Sequence, residues 1–304
     1  MRATLLLVVP LLAGCIDYDV DRRRLTDDWS QPAREGGVDI LWVVDDSQSM
    51  YEEQALLAAH AGAFISFLST VAVDYQLGVV TTDPSAGLAG DLLSADKEGL
   101  IEAFADQVTN GANGERVEQG FAAALSAFPA SGGAFSRPEA DIELVFFSDE
   151  DDQSGVAAAD FLDALQAARP EGAVAVNAIV GDLPDGCAGL SAAADAGPAY
   201  VEAQEATGGA RESICTADYD AMLERVALQV LGLDNTFALS AVPDLDTVEV
   251  RVDGALLHPR ARHGWRYDAG ANAIILDGYA VPPPGAAVEI RYYEWLGEGD
   301  PGAG

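Results

Sequence analysis

Residues 38–50 read Val38-Asp39-Ile40-Leu41-Trp42-Val43-Val44-Asp45-Asp46-Ser47-Gln48-Ser49-Met50. The first seven are β-branched or bulky and apolar, with one acid among them. That is the composition of a strand buried on both faces of a parallel sheet. Asp45, Ser47 and Ser49 alternate just beyond its end. In extended backbone, alternate side chains point the same way, so a carboxylate and two hydroxyls should converge at the strand's carboxyl end. Hard divalent cations take such oxygen donors.

Working outward, the pattern repeats strand and helix. Residues 49–69 have helical spacing, with Leu56, Leu57, Phe64, Ile65 and Leu68 available for one face. Residues 75–82, 143–148 and 173–180 read as further strands. Residues 97–108, 117–128, 156–168, 198–206 and 218–231 read as helices. Such alternation predicts an α/β fold, a doubly wound and mainly parallel sheet with helices on both faces. Ligands of such sheets gather at the carboxyl ends of the strands. After residue 233 the character changes to short alternating runs at 237–239, 248–252, 265–267, 273–276 and 288–293, punctuated by Asp253-Gly254, Asp277-Gly278 and Pro282-Pro283-Pro284-Gly285. This predicts a small antiparallel β-sandwich-like domain. The expected organisation is 1–14 signal peptide, 15–36 tether, 37–233 α/β domain, 234–297 β domain and 298–304 tail.

Hydrophobic residues make up 49% of the 304, enough for a substantial core. Lys and Arg total 16 against 50 Asp and Glu, a formal net charge of −34. A chain so acidic repels phosphate backbones, so no nucleic-acid partner is expected. The histidines are His60, His258 and His263, none in a context resembling a catalytic motif. There is no Gly-rich phosphate loop, no His-Glu-x-x-His motif and no paired-Cys zinc pattern. Binding, not catalysis, is the expectation, because one cation without a neighbouring His or Lys base makes a poor hydrolase.

The string from Asp45 to Ser49 resembles the Asp-x-Ser-x-Ser motif of the metal-ion-dependent adhesion site in von Willebrand factor A domains, and the span from about 36 to 232 fits that fold's alternating order. The resemblance implies a divalent cation (Mg²⁺, Mn²⁺ or Ca²⁺) on Asp45, Ser47 and Ser49. It also implies an Asp after the fourth core strand, matched by Asp149 in Phe146-Phe147-Ser148-Asp149-Glu150. The family's Thr ligand is missing. Counting back from Gly120-Phe121 places it near Glu115, with Glu118 as the other candidate, and Gln48 stands where the family commonly has Gly. A third carboxylate would lower the ion's pull on a partner's carboxylate and favour Ca²⁺. Asp83, at another strand end, is a further candidate ligand. Glu150, Asp151 and Asp152 either cap helices or form a second cation site.

At the N-terminus an apolar run from Thr4 to Leu12 leads into Leu12-Ala13-Gly14-Cys15, which resembles a bacterial lipobox. The resemblance implies a lipid on Cys15, anchoring in the cell envelope and, with Ile16 next, the outer membrane. Cys187 and Cys215 would then remain as a disulfide in an oxidising compartment or as two free thiols. A similar pair flanks a late loop in bacterial surface lipoproteins carrying this domain. The chain is thus expected to bind a protein or acidic ligand through its cation site. The alternatives are a structural lipoprotein whose ion only stabilises the fold, and a metal-dependent hydrolase.

Overall fold

The structure is a computed structural model describing residues 22–32, 36–70, 73–109, 117–128, 135, 137–189, 193–260 and 262–297. Cys15, Glu115, the signal peptide and the C-terminal tail lie outside the described residues.

In chain order the elements are β1 (Arg24–Ser30), β2 (Val38–Val44), α1 (Tyr51–Ala59), α2 (Ala61–Thr70), β3 (Tyr75–Thr81), α3 (Leu100–Val108), α4 (Gly120–Ser126), β4 (Asp141–Phe147), α5 (Ala158–Ala168) and β5 (Val174–Val180). There follow β6 (Cys187–Ala188), β7 (Ala193–Ala194), α6 (Pro198–Thr207), β8 (Arg211–Ser213) and α7 (Tyr219–Val230). The chain closes with β9 (Thr236–Ala238), β10 (Glu249–Val252), β11 (Ala255–Leu257), β12 (Trp265–Asp268), β13 (Ala273–Leu276) and β14 (Ala287–Tyr293).

The central sheet runs β3-β2-β4-β5-β8 and every pairing in it is parallel. All seven residues of β2 are buried, as its composition requires. Ile40, Trp42 and Val44 point to one face, where they meet Phe64, Phe104, Met222 and Leu223 of α2, α3 and α7. Leu41 and Val43 point to the other, against Phe121, Phe161 and Tyr200 of α4, α5 and α6. Trp42 is edge-on to Phe64 at 5.1 Å and to Phe104 at 5.4 Å, and Phe121 stacks on Phe161 at 4.2 Å. Hence the doubly wound architecture expected from the sequence, von Willebrand factor A-like in its strand order, is the one observed. The acid inside β2, Asp39, is held by Arg137 and Arg169, each 2.7 Å away at the amino end of the sheet. Paired in this way, a buried carboxylate does not carry the cost of an isolated charge.

Three details differ from the sequence reading. The helix expected over 49–69 divides at His60, whose backbone leaves helical geometry while its Nδ1 lies 2.7 Å from Asp220 Oδ1 on α7. A fifth parallel strand, β8, precedes α7 and was not anticipated. Within the span read as a tether, residues 24–30 form β1, which pairs antiparallel with β14. Its exposure alternates, and Leu25 and Trp29 turn inward onto the core of the C-terminal sheets.

Those sheets run β1-β14-β10-β11 and β12-β13-β9, all antiparallel, around Phe237, Val250, Ile274, Leu276, Val288 and Ile290. The α/β domain is therefore inserted between the first strand of the β module and its remainder. Gln31 fastens the two crossings. Its amide donates to Asp234 O (2.9 Å) and Pro282 O (3.0 Å) and accepts from Asp234 N (3.1 Å). Val281 of the β module is buried in the α/β domain's own core.

Candidate metal centre

Strand order places the site. From β2 the chain moves to β3 on one side, then crosses to β4 on the other, so the winding reverses between β2 and β4. A crevice forms at such a switch point, at the carboxyl ends of the strands. The register pairs Val44 with Phe147, so Asp45 and Ser148 leave the sheet side by side. Asp45 N donates to Phe147 O at 3.0 Å, extending the ladder by one bond.

Asp45 is fully buried, 0% exposed. Its Oδ1 accepts from Ser47 N at 2.8 Å and its Oδ2 from the Ser148 hydroxyl at 2.6 Å. Gln54 of α1 donates to its carbonyl at 2.7 Å. The Ser47 and Ser49 hydroxyls are 2.9 Å apart, brought together not by the extended backbone expected from the sequence but by a short 3₁₀ turn over Gln48–Met50. Asp149, 4% exposed, faces the Ser49 hydroxyl, and its Oδ1 is buried without a hydrogen-bond partner. The structure therefore brings Asp45, Ser47, Ser49 and Asp149 together from two strand ends far apart in sequence.

Glu118 joins them. It is 1% exposed, one carboxyl oxygen accepts from the Thr82 hydroxyl, and the carboxyl group lies within hydrogen-bonding reach of Asp45. Its Oε1 is buried without a partner. The segment is pinned on both sides, by Gln119 N to Thr82 O at 3.1 Å and Gln153 N to Glu118 O at 2.6 Å.

The other candidates stand apart from this cluster. Asp83 closes its own turn by accepting from Ser85 N at 2.8 Å, which holds its carboxyl below the usual range. Asp151 accepts from Ala199 N at 2.9 Å and caps α6. Asp152 accepts from Phe121 N at 2.9 Å in the first turn of α4. Glu150 takes the Gln153 amide at 2.8 Å. Of the four consecutive acids, then, only Asp149 faces the centre. The sequence reading did not single out Ser148, Thr82, Gln54 or Glu53. Glu53 of α1 is 3% exposed with Oε2 unpartnered, and burial, followed by the Glu52 and Asp45 charges, raises its pKa.

The electrostatics are one-sided. Burial, and next the Asp45 charge, push Glu118 up to about 8 and Asp149 up to about 7. Among the described residues, ion pairs go to other carboxylates, such as Asp39, Asp74, Glu212 and Asp244. Buried carboxylates in contact must take up either protons or a cation. Two buried, unpartnered oxygens and two adjacent hydroxyls suit a hard divalent ion. No group of three or more His, Cys, Asp or Glu among the described residues is drawn together as a metal-binding cluster, so a cation here depends on the serine hydroxyls as well.

Cys187 and Cys215 form a disulfide that closes a loop of 28 residues' separation, tying the segment after β5 to the end of β8. No helix among the described residues is long and apolar enough to cross a membrane.

No protein-family model matches the chain, and no curated protein matches it. Among solved structures it is similar to a von Willebrand factor type A protein from Catenulispora acidiphila, with 16% identity and a TM-score of 0.45 over 90% of this chain and 62% of that one. It is also similar to the pilus adhesin SpaC from Lactobacillus rhamnosus GG, with 12% identity and a TM-score of 0.51 over 89% of this chain and 41% of that one. The chain thus spans less than two thirds of the length of either protein. At these identities the likeness concerns the fold alone.

Proposed function

We propose that the chain is an envelope-anchored interaction module whose binding face is organised by a divalent cation held by Asp45, Ser47, Ser49 and Asp149. The observation that carries the reading is the cluster of buried, mutually repelling carboxylates with orphaned oxygens, with no basic side chain paired to them among the described residues. When bound, the ion would neutralise these charges and cross-link the loops after β2 and β4. Large apolar side chains are exposed beside the motif residues in sequence, one opening α1 and one just before α4. Tyr51, next to the serine motif, is 70% exposed, and Val117, next to Glu118, is 47% exposed. A partner would cover them.

The adhesin among the structural neighbours supports an adhesive role. The lipobox-like Leu12-Ala13-Gly14-Cys15 supports a lipid anchor, and the disulfide supports an oxidising compartment. Catalysis is not part of the proposal, since the groups at the centre are carboxylates and hydroxyls and His60 is engaged by Asp220.

An array of acidic, basic and apolar peptides, probed with the chain in Ca²⁺ or Mg²⁺ and again in chelator, tests the reading. Binding should vanish in chelator and in Asp45→Ala. Binding indifferent to both would mean that the ion only stiffens the sheet. Turnover of an ester or peptide would favour a hydrolase.

A further inference from the structure

We propose that Glu118 is itself a ligand of the cation, that the resulting three-carboxylate centre selects Ca²⁺ over Mg²⁺, and that it excludes a carboxylate from a partner. This rests on the cation centre described above and goes beyond it by fixing the ion and the chemistry of the partner.

The placement of Glu118 carries the argument. Its side chain is clamped by the Thr82 hydroxyl through one oxygen, while the other is buried and unpartnered beside Asp45. Its carbonyl accepts from Gln153 N, and the next residue holds the segment through Gln119 N donating to Thr82 O. Burying an unpaired carboxylate oxygen is costly unless something binds it. Glu118 is therefore held beside Asp45 with an oxygen to offer, and since Asp45, Glu118 and Asp149 are not drawn together as a three-acid cluster, a bound ion would have to draw the three carboxylates inward.

Two consequences follow from charge and coordination. Asp45, Glu118 and Asp149 bring three negative charges to a doubly charged ion, leaving a net negative centre that repels a further carboxylate. With a neutral hydroxyl in place of Glu118 the charges would balance and an incoming carboxylate would meet no such barrier. The donor set also suits the larger ion. Ca²⁺ accepts six to eight oxygens in flexible geometry and gains from carboxylates that can bind through both atoms. Mg²⁺ demands a tight octahedron and keeps much of its water. The partner's contact is then to the rim around the ion, through apolar or basic groups, and not to the ion.

The test compares wild type, Glu118→Thr and Glu118→Gln by calorimetric titration with Ca²⁺, Mg²⁺ and, on the metal-loaded proteins, acetate as a carboxylate probe. Wild type should prefer Ca²⁺ and ignore acetate. Glu118→Thr should lose Ca²⁺ affinity by about tenfold or more while changing little toward Mg²⁺, and should take up acetate. Circular dichroism checks that the variants are folded. If Glu118→Thr does not fold, Glu118→Gln decides, since a loss of Ca²⁺ preference supports the proposal and an unchanged one overturns it. An unaltered Ca²⁺ to Mg²⁺ ratio in a folded variant removes Glu118 from the ligand set but leaves the centre standing. Wild type that binds neither ion sinks both.

Discussion

Replacing Glu118 with Gln keeps the size and an acceptor for Thr82 but removes the capacity to ionise beside Asp45. Two unit charges roughly 4 Å apart repel by about 4 kcal/mol at an effective dielectric of about 20. The metal-free protein avoids that cost by keeping Glu118 protonated up to about pH 8. Its folded pKa is raised above the ordinary carboxylate value. The proton it retains therefore stabilises the fold fully below about pH 4.5 and ceases to do so as pH climbs through about 8. Asp149 behaves alike, over a window that ends near 7. In chelator near pH 4, below both the unfolded and the folded value, wild type and Glu118→Gln should melt together, both being neutral at this position whether folded or unfolded. At about pH 9 wild type carries the charge and the variant does not. Allowing for relaxation and solvent screening, the variant should then be more stable by about 1–3 kcal/mol, or roughly 2–8 °C in Tm. Saturating Ca²⁺ should reverse the order at the higher pH, because the ion then gains from the third carboxylate. Melting curves by circular dichroism at two pH values, with and without Ca²⁺, supply the four comparisons. A variant that melts below wild type in chelator at both pH values, or that matches it under all four conditions, would refute the reasoning.

Other positions give independent checks. Gln31→Ala removes the clamp across both crossings between the domains, and should cost about 2–3 kcal/mol in chemical denaturation without altering cation uptake. Replacing Cys187 and Cys215 together with Ser should lower stability by about 3–4 kcal/mol on the loop-closure estimate, read as a shift in the urea midpoint. Asp151→Ala should cost about 1 kcal/mol through loss of the α6 cap while leaving metal affinity intact, which separates it from Asp149 two residues earlier.

Much of this was legible because burial on both faces leaves a strong mark. The run Val38 to Val44 has to be a central strand, and the spacing of Asp45, Ser47 and Ser49 beyond it marks the donors, although a 3₁₀ turn and not extended backbone brings the two hydroxyls together. Asp149 was legible through the family resemblance, and the pairing of β2 with β4 is what carries it toward Asp45. What escaped notice depended on partners distant in sequence or on weak local signal. Strand β1 alternates Leu25 and Trp29 with charged and polar residues, as a tether could, and its partner β14 lies at the far end of the chain. The clamps Ser148 and Thr82 are lone hydroxyls, ordinary anywhere in a sequence until a carboxylate is seen beside them. Counting back from α4 pointed to Glu115, which lies outside the described residues, with Glu118 as the other candidate; among the described residues Glu118 is an acid carried to Asp45, in a segment bonded to Thr82 and Gln153. The acids Asp151 and Asp152 show the converse. Their density suggested a second cation site, but backbone N–H groups of α6 and α4 occupy them.

The central claim is that oxygens delivered by the ends of β2 and β4 share one positive ion. Titrating Ca²⁺ and Mg²⁺ into the folded, chelator-stripped chain in a calorimeter addresses it most directly, with Asp149→Asn alongside. The account predicts saturable uptake of a single ion per chain by wild type, with protons released as Glu118 and Asp149 give them up, and loss of that uptake in the variant. No heat of binding from either metal, or equal binding by Asp149→Asn, would contradict it.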